Sequence, residues 1–219
     1  MELSVVNDAL VLTLVSGRKT ISAHLASGCE RSFFFRVPVA DVDAKLGVRT
    51  SLSFEQADEY PHLRPDVSLV LGRDFFKAHL LRVERSRAAS ILSAPPDGAR
   101  RVPCTGRGGF MHVNVAVNGH PMTALLDTGA ASGACCIDGA AFDSMGLVPL
   151  PDVDGPEAAV WLTLFDTQLR VRMVRRGVGD FSKRSSQLTG VSHLCSVGGS
   201  ALFRFDMVFS AAEPAVYVR

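Results

Sequence analysis

The apolar positions of this chain recur every second residue rather than every third or fourth. Met111, Val113, Val115 and Val117 alternate with His112, Asn114 and Ala116, and Leu169, Val171 and Met173 alternate with Arg170 and Arg172. The same period runs through Phe203, Phe205, Met207 and Phe209, with Arg204, Asp206 and Val208 between them. Successive side chains of a strand point to opposite faces, so this pattern predicts half-buried strands in both halves of the chain. Helical spacing is confined to short stretches, Val39 to Leu46 and Gly139 to Met145, each closed by Gly-Val or Gly-Leu, where glycine stops a helix. The expected class is mostly β.

Turn-forming residues divide the chain. Ser93 to Gly109 holds three prolines and four glycines, the densest such stretch, and predicts a lobe over 1–92, a linker over 93–109 and a second lobe over 110–219. Laid over one another, the halves match in order. Leu10 to Gly17 corresponds to Met111 to Gly119, a strand closed by Ser-Gly or by the strong hairpin signal Asn-Gly. Ala23-His-Leu-Ala-Ser-Gly-Cys29 corresponds to Ala124-Leu-Leu-Asp-Thr-Gly-Ala130, and Leu71-Gly72-Arg73-Asp74-Phe75-Phe76 to Val197-Gly198-Gly199-Ser200-Ala201-Leu202. The repeat is too long for a solenoid and predicts duplicated lobes. Asp66 and Asp74, flanking Leu71-Gly72, fit capping of a short helix or turn.

Composition narrows the function classes. A chain of 219 residues can build two cores of about 100 residues each, and 47% hydrophobic with 21% charged residues excludes disordered, collagenous and coiled-coil chains. A net charge of +1 supplies no global field for nucleic acid or an anionic membrane. The most basic stretch, Arg170, Arg172, Arg175, Arg176, Lys183 and Arg184, alternates with apolar residues and lacks an aromatic stacking platform. It therefore reads as an exposed strand face, with no nucleic-acid partner. No apolar run approaches the roughly 18 residues that cross a bilayer, and the N-terminus lacks the basic and apolar regions of a signal peptide. Five irregularly spaced cysteines, two of them adjacent, fit reduced thiols and a cytoplasmic location. Metal-ligand spacings are absent, and Gly177-Val178-Gly179 lacks the third glycine of a dinucleotide loop, so neither metal nor cofactor is expected.

The candidate chemistry lies at Asp127. A strand that delivers Leu125-Leu126 into Asp127-Thr128-Gly129 presents a carboxylate on a tight turn, where threonine can lock the loop and glycine allows close backbone approach. The triplet alone is a weak signal, arising by chance in about one chain in twenty of this size. Its surroundings sharpen it: an alternating strand and an Asn-Gly turn ahead, small residues and a short helix behind, and an apolar-Gly element 69 positions beyond Gly129.

On Ala124-Leu-Leu-Asp-Thr-Gly-Ala130 and the apolar-Gly elements at Val70-Leu71-Gly72 and Val197-Gly198, the sequence resembles the retropepsin-like aspartic peptidases, the retroviral-protease superfamily with its cellular and bacterial relatives. The resemblance covers essentially the whole chain, once per lobe. It implies two tandem, closed β lobes, each placing one loop at a shared water, with Asp127 as the catalytic aspartate and Thr128, Gly129 and Ala130 supporting its loop. It further implies an extended peptide or protein as substrate.

One departure changes the expectation. The equivalent loop of the first lobe is Ala26-Ser27-Gly28, a methyl in place of the carboxylate, unless a shifted register leaves the acid at Glu30, Asp41 or Asp43. The first lobe is also short: 44 positions separate Gly28 from Gly72, against 69 from Gly129 to Gly198. The family's flap, a hairpin that closes over peptide, falls in this interval. The second lobe offers a candidate in Val160 to Val174, with Trp161 and Phe165 placed to contact peptide and Asp166-Thr167 near its turn. Two functions follow. One is an aspartic endopeptidase in which Asp127 activates water and a homodimer supplies a second Asp127. The other is a catalytically inactive peptide-binding or scaffolding protein.

Overall fold

The computed structural model describes residues 2–6, 8–16, 18–29, 32–34, 67–107, 109–130, 133–151, 156–177, 179 and 190–219. Within them the period-two segments become strands. The first lobe holds β1 (Glu2–Val6), β2 (Ala9–Ser16), β3 (Lys19–Leu25), β4 (Phe33–Phe34) and β5 (Val67–Leu71), in the order β1-β2-β3-β5-β4. Helix α1 (Arg73–Ala78) follows, then β6 (Leu80–Val83), β7 (Ala89–Leu92) and β8 (Arg100–Pro103). The second lobe contains β9 (His112–Val117), β10 (His120–Leu126), β11 (Cys135–Ile137), α2 (Gly139–Ser144), β12 (Glu157–Leu164), β13 (Thr167–Arg175), β14 (Cys195–Val197) and α3 (Gly199–Leu202). The chain ends with β15 (Met207–Ser210) and β16 (Ala215–Val218).

The duplication read from sequence is repeated in the strand pairing. In the first lobe β2 and β3 form a hairpin, β3 runs parallel to β5, and β5 pairs antiparallel with β4. In the second, β9 and β10 form a hairpin, β10 runs parallel to β14, and β14 pairs antiparallel with β11. Asn118 and Gly119 close the β9–β10 hairpin with φ of 48° and 84°, the left-handed pair that a two-residue hairpin turn requires. The second lobe closes into a barrel, β10-β14-β11-β13-β12-β9, with Val113, Val115, Val160, Leu162, Val171 and Met173 buried.

A third sheet, β7-β6-β15-β16-β8, joins β6 and β7 from the end of the 1–92 stretch, and β8, to the two strands that end the chain. Strand β8 lies inside the stretch expected to be a linker and pairs with β16. Apolar residues of both lobes merge into one core, with the Phe76 ring edge-on to Phe209 at 6.1 Å.

Helix α2 forms where expected, its first turn capped by Asp138, which accepts from the Ala140 N–H at 2.9 Å. The run from Phe203 to Phe209 departs from expectation, because only Met207–Ser210 is strand. The glycines at 198 and 199 lead into α3, and Phe203 and Phe205 are buried in the turn that follows. Val39 to Leu46, most of the interval expected to lack a flap, and Asp66 lie outside the described residues. Among the described residues no helix is long and apolar enough to cross a membrane.

Candidate functional site

Strands β3 and β10 end side by side, and their terminal loops lock to each other. The Ser27 hydroxyl donates to the Leu126 carbonyl at 2.8 Å and accepts from the Thr128 N–H at 3.0 Å. Reciprocally, the Thr128 hydroxyl donates to the Leu25 carbonyl at 2.8 Å and accepts from the Ser27 N–H at 3.1 Å. Both side chains are 0% exposed. Each hydroxyl therefore satisfies a buried carbonyl and a buried N–H of the opposite lobe, which is why hydroxyl residues occupy both positions.

This exchange fixes the register: Ala26 is the counterpart of Asp127. Their backbone N–H groups make equivalent bonds, Ala26 to the Leu71 carbonyl at 2.8 Å and Asp127 to the Val197 carbonyl at 3.0 Å. The Asp127 carboxylate stands over Gly28, where a Cβ would come within 2.7 Å of its Cγ, and it accepts from the Gly129 N–H at 2.9 Å. In mirror fashion a Cβ on Gly129 would overlap the Ala26 methyl. Both glycines are required by this close approach. Among the described residues the junction thus carries one carboxylate, from Asp127, facing a methyl that is 3% exposed. Glu30, Asp41 and Asp43 lie outside the described residues, and the place equivalent to Asp127 is held by Ala26.

The same contacts bear on how a second Asp127 would arrive. The surface of Thr128 that would receive another chain's loop is already occupied by Ser27 of the same chain. Ala130 completes the Asp127 turn, its N–H directed to the Asp127 carbonyl at 3.4 Å.

The second-lobe hairpin is present, with β12 and β13 paired from Glu157↔Val174 to Leu164↔Thr167, but its residues are not gathered at Asp127. Trp161 donates its N–H to the Asn118 side chain at 2.8 Å, beside the turn at the end of β10 opposite Asp127. The tip docks on neighbouring elements. Phe165 packs edge-on against Phe205 at 5.2 Å, and Asp166 receives Arg100 of β8 at 2.7 Å. Thr167 opens β13 beside this anchored tip. The hairpin tip carrying Phe165 and Asp166 is thus anchored to Phe205 and to Arg100 of the third sheet.

A buried histidine pair escaped the sequence reading. His112, at the start of β9, and His193, before β14, bring Nε2 and Nδ1 to 3.1 Å, and His112 Nδ1 meets the Thr105 carbonyl at 3.2 Å. Burial, then the neighbouring His112, pushes the His193 pKa down to about 4, and burial also lowers that of His112. The thiols shift the other way: burial raises Cys135 to about 11 and Cys104 to about 12, and raises Cys136 and Cys195 as well. All five cysteines are unbridged. Among the described residues no group of three or more His, Cys, Asp or Glu could hold a metal ion.

No protein-family model matches the chain, and no curated protein is significantly similar to it. Solved structures do match. An aspartic proteinase from Irpex lacteus aligns over 99% of this chain and 95% of its own, at 11% identity and a TM-score of 0.55. A retropepsin-like aspartic protease from Rickettsia conorii aligns over 58% of this chain and 96% of its own, at 12% identity and a TM-score of 0.38. The full-length likeness shows that this chain has the aspartic-protease fold, mostly β, with acid-protease-like lobes.

Proposed function

We propose that this chain is an acid-protease-fold protein whose interlobe cleft binds peptide in extended form around a single carboxylate, without the second acid that hydrolysis requires. The observation that carries this reading is the Ala26 methyl standing opposite Asp127 across the Ser27–Thr128 contact. Hydrolysis on such a junction needs one ionised carboxylate as base on water and one protonated carboxyl as acid on the peptide carbonyl. Two acids a few Å apart achieve this by sharing a proton, whereas one carboxylate cannot hold both states at once. Binding makes no such demand, because an extended peptide is held by strand-type main-chain hydrogen bonds.

The endopeptidase reading is favoured by the intact Asp127-Thr128-Gly129 loop. It requires a second chain to bring its own Asp127 to the position that Ala26 occupies, and hence the lobes of one chain to part. The division into lobes over 1–92 and 110–219 and a cytoplasmic location belong to the same proposal. An extended-peptide library assayed for both anisotropy and mass-spectrometric cleavage, on wild type and Asp127→Asn, separates the two. Binding with no turnover is expected. Cleavage that Asp127→Asn abolishes, rising faster than linearly with protein concentration, overturns the inactive reading in favour of a dimer.

A further inference from the structure

The outer face of the second barrel carries a cavity of about 520 Å³ built on the side of the β12–β13 hairpin that faces away from the core. Its floor is small and apolar, with Ala134, Ala159 and Val174 among the lining residues, and Arg170, Arg172 and Arg204 border it. The strand register explains the gathering. Ala159 pairs with Arg172 and Trp161 with Arg170, so two guanidinium groups rise on one face beside a residue too small to cover them. Arg204 comes from the turn after α3 and is pinned there, Nε donating to the Ser200 carbonyl at 3.1 Å and Nη1 to the Arg170 carbonyl at 3.3 Å.

Two features mark this cluster. Three arginines line one concavity, and among the described residues no carboxylate forms an ion pair with Arg170, Arg172 or Arg204, while Glu157, at one end of the floor, is the one carboxylate among the described lining residues. Trp161, paired across the hairpin with the lining residue Arg170, is 45% exposed, with that guanidinium 5.3 Å from its ring. Three like charges around an apolar concavity repel one another, and an anion seated among them relieves that repulsion.

We propose that this cavity is a docking site for an acidic, extended segment of a partner protein. Its carboxylates meet Arg170, Arg172 and Arg204, its main chain passes over the alanine floor, and an apolar side chain lies against Trp161. Guanidinium groups favour this occupant, because their planar fork matches a carboxylate with two parallel hydrogen bonds. The site is independent of Asp127.

The test uses the full chain and two labelled decapeptides, one alternating Glu with Ala and carrying a single Phe, the other with Gln in place of Glu, read by fluorescence anisotropy. The Glu peptide is expected to bind at least about tenfold more tightly than the Gln peptide, and Arg170→Ala/Arg172→Ala to remove about tenfold or more, since each charge-assisted contact carries roughly that factor. Arg172→Glu alone, checked for folding by near-ultraviolet circular dichroism, should act in the same direction. Asp127 does not line the cavity, so loss of Glu-peptide binding in the arginine variants reports on this cavity and stays distinct from the fate of the cleft. Equal binding of both peptides overturns the proposal, as does unchanged affinity in both arginine variants. Tighter binding of a single-stranded oligonucleotide or of anionic vesicles than of the Glu peptide also overturns it.

Discussion

Replacing Ser27 by Ala tests the joint on which the whole site rests. The hydroxyl makes two bonds across the lobes, to the Leu126 carbonyl at 2.8 Å and from the Thr128 N–H at 3.0 Å, in a place with no exposure to solvent. Removing it leaves a buried carbonyl and a buried N–H short of a partner, at about 1–3 kcal/mol apiece. Partial relaxation of the loops returns some of this, so the expected loss is about 3 kcal/mol. For a chain of this size that lowers the melting temperature by about 6–12 °C. Urea denaturation followed by far-ultraviolet circular dichroism reads the change as a lower midpoint at unchanged slope. Thr128→Ala should cost a similar amount, and the double variant should show coupling of about 1 kcal/mol or more, because the residues share partners. A loss below about 0.5 kcal/mol for Ser27→Ala, with no coupling to Thr128, would refute the in-chain joint.

Two further outcomes follow from buried titratable groups. Because His193 binds its proton more weakly in the fold, at a pKa of about 4, than in the unfolded chain, the unfolded state takes up more protons between about pH 6.5 and 4. This contribution to stability is present above that window and lost as pH falls through it. His193→Gln should therefore flatten the decline in urea midpoint from pH 7 to pH 4, and an unchanged slope would contradict the assignment. Cys104, Cys135 and Cys195, whose thiols are pushed up by burial, should resist alkylation in the native state at pH 8 and react after denaturation; mass spectrometry showing rapid native labelling of these three would count against their placement.

Much of the fold was legible because strand burial leaves a period of two in the sequence. β9, β12 and β13 follow it, with buried residues at alternate positions over much of each strand. The duplicated landmarks were legible because both lobes solve the same problem, ending a strand in a tight loop beside an apolar-Gly element. Ala26 could be placed opposite Asp127 since Ser27 and Gly28 are themselves constrained, by hydrogen bonding and by close approach.

What the sequence did not show depended on contacts between distant residues. The hairpin at 157–175 was visible, but where its tip docks is decided by Phe205 and Arg100, 40 and 66 positions from their partners. The alternation at Phe203 and Phe205 signalled burial correctly, yet a turn wrapped between lobes buries the same positions as a strand. His112 and His193, 81 positions apart, carry no local signal of their pairing. The arginines at 170 and 172 read as an exposed face; the cavity appears only when Arg204 and the small residues Ala134 and Ala159 come together beside them.

On the proposed reading, one methyl separates this junction from a catalytic pair. Gly129 lies against the Ala26 methyl as Gly28 lies against the Asp127 carboxylate. Peptide turnover should therefore be measured for wild type, Ala26→Asp and Ala26→Asp/Asp127→Asn at several protein concentrations under mildly acidic conditions. The expected result is no turnover by wild type, turnover by Ala26→Asp that is linear in protein concentration, and its loss in the double variant. Asp127-dependent cleavage by the wild-type chain would contradict it.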